Sequence, residues 1–97
     1  MNMHNPPHPG EFIREIYMLP YGVSSRMIAR KLNVSPSTFV RLLNGTSNIS
    51  PEMAIRLSKV LGRTPQSWLA MQDAHSLWLA NQKIDLSGVE KLELAAV

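Results

Sequence analysis

The chain of 97 residues contains no cysteine, which excludes a disulfide framework and thiolate chemistry and fits a reducing cytoplasm. It has no apolar run long enough to span a bilayer. Its opening, MNMHNPPHPGEF, lacks both the basic flank and the apolar core of a signal peptide. A soluble cytoplasmic protein without membrane contact is expected. The seven acidic residues are scattered, so no carboxylate pair suited to acid–base work stands out. No glycine-rich phosphate loop or strand-turn-helix elbow surrounds any serine, histidine or aspartate. His4 and His8 flank Asn-Pro-Pro, where the prolines forbid the helix that would bring two such side chains onto one metal. His75 stands alone, and the six methionines are placed like core filler. A single domain of this length hardly encloses a substrate pocket. These absences predict a protein that is not an enzyme, with no catalytic residue, metal or cofactor.

What the chain does have is the stretch SSRMIARKLNVSPSTFVRLLNG, from Ser24 to Gly45. It reads as two short helices joined by a tight turn, the layout of a DNA-reading helix-turn-helix. The first runs from about Ser25 to Leu32, with Ile28, Ala29 and Leu32 on one inward face. Asn33 and Val34 make the turn, Val34 pointing inward. Ser35 is an N-cap and Pro36 takes the first helical position, where a missing N–H costs nothing. Phe39, Leu42 and Leu43 carry the buried face of the second helix, and Asn44-Gly45 ends it. Its outward face holds Ser35, Ser37, Thr38, Val40 and Arg41, with no acid. Short side chains let such a helix approach a polyanion closely, and Arg41 supplies the one long planar donor able to bind guanine O6 and N7 together. An ordinary helical hairpin with a serine- and threonine-rich surface is the alternative, since the same spacing occurs in bundles that bind nothing.

The net charge of +3 is unevenly spread. Residues 24–63 hold Arg26, Arg30, Lys31, Arg41, Arg56, Lys59 and Arg63 against the single acid Glu52, a surplus of six. Residues 73–97 hold Asp73, Asp85, Glu90 and Glu93 against Lys83 and Lys91, a deficit of two. The basic surplus sits with the reading helix, as phosphate neutralisation requires.

Five helices and a tail are predicted: an all-α chain with a flexible segment over 1–8, a helix-turn-helix domain over 9–82 and a tail over 83–97. The first helix runs from about Glu11 to Met18, with Phe12, Ile16 and Leu19 facing inward and Pro20 and Gly22 stopping it. Ser50 and Pro51 open a fourth helix whose apolar contacts come from Met53, Ile55, Leu57, Val60 and Leu61, and Gly62 closes it. Thr64-Pro65 repeats the cap for a fifth helix, from about Gln66 to Gln82. In the tail, Ile84, Leu86 and Val89 alternate around Ser87-Gly88, a pattern compatible with a short strand.

The fifth helix is apolar on more than one side. Trp68, Met71, His75, Trp78 and Leu79 follow helical spacing, and Leu69, Ala70, Ala74 and Leu77 lie elsewhere on it. One stripe suffices to close a small core, so the second side is expected to serve a partner. Homodimerisation is the leading explanation, because two-fold proteins match two-fold operators. The interface is placed on His75, Leu77, Trp78 and Leu79, with Trp68 assigned to the core. The tail is the other place a dimer contact can lie, and completion of the monomer's own core by both tryptophans is the alternative.

HPGEFIRE near the start, the helix-turn-helix ending in RLLNG, ISPEMAIRLSKVLG and TPQSWLAMQ together resemble HigA-type antitoxins, within the Cro/cI-like, lambda-repressor-like helix-turn-helix regulators. The resemblance spans about His8 to Ser87. It implies a five-helix homodimeric repressor of a two-gene operon that neutralises a HigB-type toxin, an RNase acting on ribosome-bound mRNA. It carries DNA contacts onto Ser35, Ser37, Thr38 and Arg41, and backbone contacts onto Ser25, Arg26, Asn44 and Thr46. Ser37 and Arg41 are expected at base edges, Ser35 and Thr38 at phosphates. Many relatives place glutamine at the early base-reading positions, where this chain has Pro36 and Ser37, so DNA shape is expected to contribute more. A free-standing phage- or plasmid-type repressor is the runner-up; a helical interaction protein that has lost DNA binding belongs to a different class.

Overall fold

Every helix opens on the same device. A side chain at the residue before the helix accepts a hydrogen bond from a backbone N–H of the first turn: His8 from Gly10 (2.9 Å), Ser24 from Met27 (3.1 Å), Ser35 from Thr38 (3.2 Å), Ser50 from Met53 (3.1 Å) and Thr64 from Ser67 (3.0 Å). In all but the second, proline follows the cap, so its missing donor falls where the helix has no acceptor for one. The computed structural model of the chain describes residues 5–95. Among these it has five helices and no strand: α1 (Pro9–Ile13), α2 (Ser25–Leu32), α3 (Pro36–Leu43), α4 (Pro51–Leu61) and α5 (Pro65–Lys83). α1 continues as a π-helical stretch over Arg14–Met18.

The core is built where the capped helices converge. Ile13 of α1, Ile28, Ala29 and Leu32 of α2, and Phe39, Leu42 and Leu43 of α3 are buried together with Ile49, Ala54, Leu57 and Trp68. α1 and α3 approach each other closely at Gly10. A Cβ on Gly10 would lie 2.2 Å from the Leu42 carbonyl oxygen and 2.7 Å from the Leu43 Cα, so only glycine allows the two backbones to meet.

Three expectations need correction. Ile16 and Leu19 do not face inward: they are 48% and 67% exposed, while Ile13 is fully buried and Phe12 and Tyr17 partly so. The cause is the π-helical stretch. Leu19 N–H bonds the Arg14 carbonyl and Val23 N–H the Met18 carbonyl, each five residues back, so the inward stripe leaves the 3.6-residue period. On α4, Ile55 is 61% exposed; the face turned inward is Ala54 and Leu57, flanked by Met53, Val60 and Leu61. Among its described residues the tail forms no strand. Ser87 N–H bonds the Asp85 carboxylate and Val89 N–H the Leu86 carbonyl, which makes a turn, and with no described strand to pair with, residues 84–95 stay exposed. Of the segment expected to be flexible over 1–8, Asn5 is exposed, Pro7 half-buried, and Pro6 and His8 buried. His4 and the rest of residues 1–4, like 96–97 of the tail, lie outside the described residues.

Candidate nucleic-acid interface

α2 and α3 are joined by a turn that the sequence dictates residue by residue. Asn33 takes the left-handed conformation (φ 58°), which asparagine tolerates better than most, and its N–H and that of Val34 close onto the last turn of α2. Ser35 then starts α3 in extended backbone. Phe39, Leu42 and Leu43 bury one side of α3 and set its roll, which turns Ser35, Ser37, Val40 and Arg41 outward, with Thr38 at the flank.

Those outward groups form one connected polar ridge. Ser35 Oγ lies 2.7 Å from Thr38 Oγ1 and 3.3 Å from Ser37 Oγ. Arg41 Nη2 leans back toward Thr38 Oγ1, at 3.5 Å. The ridge therefore presents three hydroxyls and a guanidinium at i, i+2, i+3 and i+6, with no carboxylate on the helix. Its hydroxyls can donate to phosphate oxygens or base acceptors, and the guanidinium's remaining donors are open to a planar bidentate acceptor.

The flanking predictions divide. Ser25 and Arg26 stand at the start of α2, Ser25 half-buried and Arg26 exposed. A hollow of about 280 Å3 there is lined by Ser24, Arg26, Met27 and Arg30. Arg30 was not among the predicted contacts. Its i, i+4 spacing from Arg26 was the available signal, since residues so spaced share a helix face. At the other end, Asn44 and Gly45 are exposed, Gly45 with φ 77°. Thr46 is exposed too, but its hydroxyl donates to the Arg41 carbonyl (3.0 Å), so it also caps the C-terminus of α3.

The residues expected at a dimer contact are not equivalent. Leu77 and Leu79 are exposed and Trp78 is half-buried. His75 instead engages its own chain: its Nδ1 lies 2.8 Å from the Pro6 carbonyl oxygen and its ring meets that of His8 edge-on, 5.2 Å between centroids. Trp68 is fully buried, as the core assignment requires, and its Nε1 donates to the Gly62 carbonyl. Spacing alone did not single out Gln72, which is buried on α5. Among the described residues no three acidic or histidine side chains converge as a metal site needs, and no helix is long and apolar enough to cross a membrane.

A capped helix pair, a left-handed turn, and an acid-free hydroxyl-and-arginine ridge define a helix-turn-helix protein of the DNA-contacting class. Residues 13–68 match the helix-turn-helix family. The chain belongs to that family, in the Cro/cI-like group that includes HigA- and GraA-type antitoxins. It is similar to the HTH-type transcriptional regulator YddM of Escherichia coli K12, at 45% identity over 95% of this chain and 97% of the relative. It is also similar to antitoxin GraA solved in complex with its operator, at 35% identity over 98% of both chains with a TM-score of 0.84. A third similar structure is Pseudomonas aeruginosa antitoxin HigA with the higBA promoter, at 34% identity and TM-score 0.74 over 79% of this chain and 84% of that one.

Proposed function

We propose that the protein is a dimeric transcriptional repressor that binds the operator of its own operon and serves as the antitoxin of a HigB-type toxin. The observation that carries this reading is the ridge of Ser35, Ser37, Thr38 and Arg41 on α3. Ser37 and Arg41 contact base edges, while Ser35, Thr38, Ser25, Arg26 and Asn44 hold phosphates and set register. Similarity to an antitoxin bound to its operator along nearly the whole chain supports the same reading. Two copies joined along the outer face of α5 present two α3 helices to successive major grooves of a palindrome. Half-site centres then fall about 34 Å apart.

Gel-shift titration on the DNA upstream of its own operon, at several salt concentrations, tests this. Affinity is expected to fall steeply as salt rises, because each phosphate contact releases counterions. Absence of a shift at low salt, or an affinity indifferent to salt, overturns it. A second reading, a free-standing repressor, is favoured by the similarity to YddM, which is named as a regulator and not as an antitoxin. Co-expression with the product of the neighbouring gene separates the two: rescue from a toxic RNase supports the antitoxin, and a harmless neighbour the free repressor.

A further inference from the structure

α3 is fixed in roll by its buried face, and the segment that carries it is held on either side by two polar side chains from other helices, one bonded at the end of α2 and the other at the residue before the cap of α4. At the entry, Arg56 of α4 donates from Nη1 to the Leu32 carbonyl (2.7 Å) and more weakly to that of Asn33 (3.4 Å). The Leu32 carbonyl is one of the acceptors that the end of α2 leaves without an intrahelical donor. Glu52, one turn earlier on α4, holds the other arm of the guanidinium at 2.9 Å. At the exit, Gln72 of α5 pairs with the backbone of Ile49: Ile49 N–H donates to Oε1, and Nε2 donates to the Ile49 carbonyl at 2.9 Å. Both partners are buried, Gln72 being 8% and Ile49 4% exposed. The segment from Asn33 to Ile49 is thus pinned at each end, 23 or 24 residues away in sequence from what pins it.

We propose that Arg56 and Gln72 are positioning residues for DNA reading: the two clamps set how far α3 projects and at what pitch, so that Ser37 and Arg41 reach base edges when the flanking phosphates are engaged. The inference rests on α3 being the DNA-contacting helix. Base contacts demand placement within a fraction of an ångström, and the phosphate contacts proposed for Ser25 and Arg26 lie on α2, outside the pinned segment, so loosening a clamp harms specificity more than affinity for DNA in general. Gln72 is buried and uncharged, so its contribution does not come from touching a phosphate. The Arg56 guanidinium is occupied by Glu52 on one arm and by the Leu32 and Asn33 carbonyls on the other.

The test uses the full chain with Arg56→Gln, Arg56→Lys and Gln72→Met, each titrated on operator and on random duplex at temperatures where circular dichroism shows it folded. Arg56→Gln and Gln72→Met are expected to lose about tenfold on the operator, the equivalent of one base contact. Random-DNA affinity is expected to fall distinctly less, and the slope of affinity against salt to stay at the parent's value. Arg56→Lys keeps a donor for the Leu32 carbonyl and recovers part of the loss. Equal losses on both duplexes, with a salt slope reduced by about one, would make Arg56 a phosphate contact and overturn the inference for it. Parent-like operator affinity in folded Gln72→Met overturns it for Gln72. If the parent itself shows no salt-dependent binding, the DNA reading falls and this inference with it.

Discussion

At the scale of single residues, two arginines in one basic segment are expected to do different work. Arg41 lies on the ridge of α3 beside Thr38, with donors left for a base edge. Arg26 lines the hollow at the start of α2, the place proposed to meet phosphates. Arg41→Ala should cost roughly 1–3 kcal/mol on the true operator and little on random duplex. Arg26→Ala should weaken both by similar factors, because phosphates are alike in every sequence. Equal losses for Arg41→Ala on the two duplexes would remove it from base readout. His8 shows a different kind of residue-level control. Its Nδ1 caps α1 by accepting from Gly10, and its Nε2 is buried without a hydrogen-bond partner. Burial first, and the neighbouring His75 second, hold its pKa below the usual histidine value, while the Ser47 backbone and Glu11 pull the other way. Arg14 and Glu15 line a hollow beside His8. The proton is thus bound more readily in the unfolded chain. Stability is fully present above the ordinary histidine pKa of about 6.5, and falls as pH drops through it toward the lower folded-state value. Denaturant midpoints measured from pH 7.5 to 5 should show the loss, and His8→Asn, which keeps a capping acceptor, should flatten it. An unchanged slope in that variant would assign the loss to other groups.

At the scale of elements, the contact between α1 and α3 and the burial of α5 are what close the fold. Gly10→Ala would push a methyl group into the Leu42 and Leu43 backbone, which has no side-chain freedom with which to give way. The expected cost is about 1–3 kcal/mol or more, read as a lowered denaturation midpoint. A neutral Gly10→Ala would mean that α1 does not sit so close to α3 in solution. Trp68 joins α5 to the rest: it is fully buried, meets Phe12 edge-on at 5.9 Å and bonds the Gly62 carbonyl. Arg63, in the left-handed region with φ 67°, lays its guanidinium over both of those rings. Trp68→Ala should destabilise the chain by roughly 3–5 kcal/mol, measured by the same unfolding curves. A loss under 1 kcal/mol would place the tryptophan outside the cooperative core.

At the scale of the whole molecule, α5 outruns the core that its first half helps build. Trp68 and Gln72 are its buried residues, whereas Leu77 and Leu79 are exposed and Trp78 is half-buried. Trp78→Ala should leave a folded chain that dissociates more readily on dilution. Its operator affinity should fall as well, since a monomer engages one half-site and loses the effective concentration of a linked pair. Sedimentation across a dilution series checks the first point and gel shifts the second. If the variant stays dimeric wherever the parent does, the exposed tail around Ile84 to Leu94 becomes the candidate contact.

The elements were legible because their signals are local. The Ser-Pro and Thr-Pro starts at Ser35, Ser50 and Thr64 act through hydrogen bonds spanning three residues, and α2 falls on Ser25–Leu32 as the spacing predicts. The ridge of α3 was legible too, since Phe39, Leu42 and Leu43 leave only one way for Ser37 and Arg41 to point. What needed tertiary structure is non-local. The π-helical turn that exposes Ile16 and Leu19 breaks the periodicity on which their inward placement rested. The ring of His8 is buried edge-on against His75 of α5, whose Nδ1 meets the Pro6 carbonyl, a contact 69 residues apart. Gln72 reads as a surface amide by composition, yet it is buried because the backbone of Ile49 offers it one donor and one acceptor. Sequence by itself determined where the helices from α2 onward start, to within a residue, and which face of α3 is outward, but not the start of α1, which lies at Pro9 on a His8 cap. Only the packed chain decided which polar side chains hold that helix in place, because their partners are backbone groups brought near by the fold.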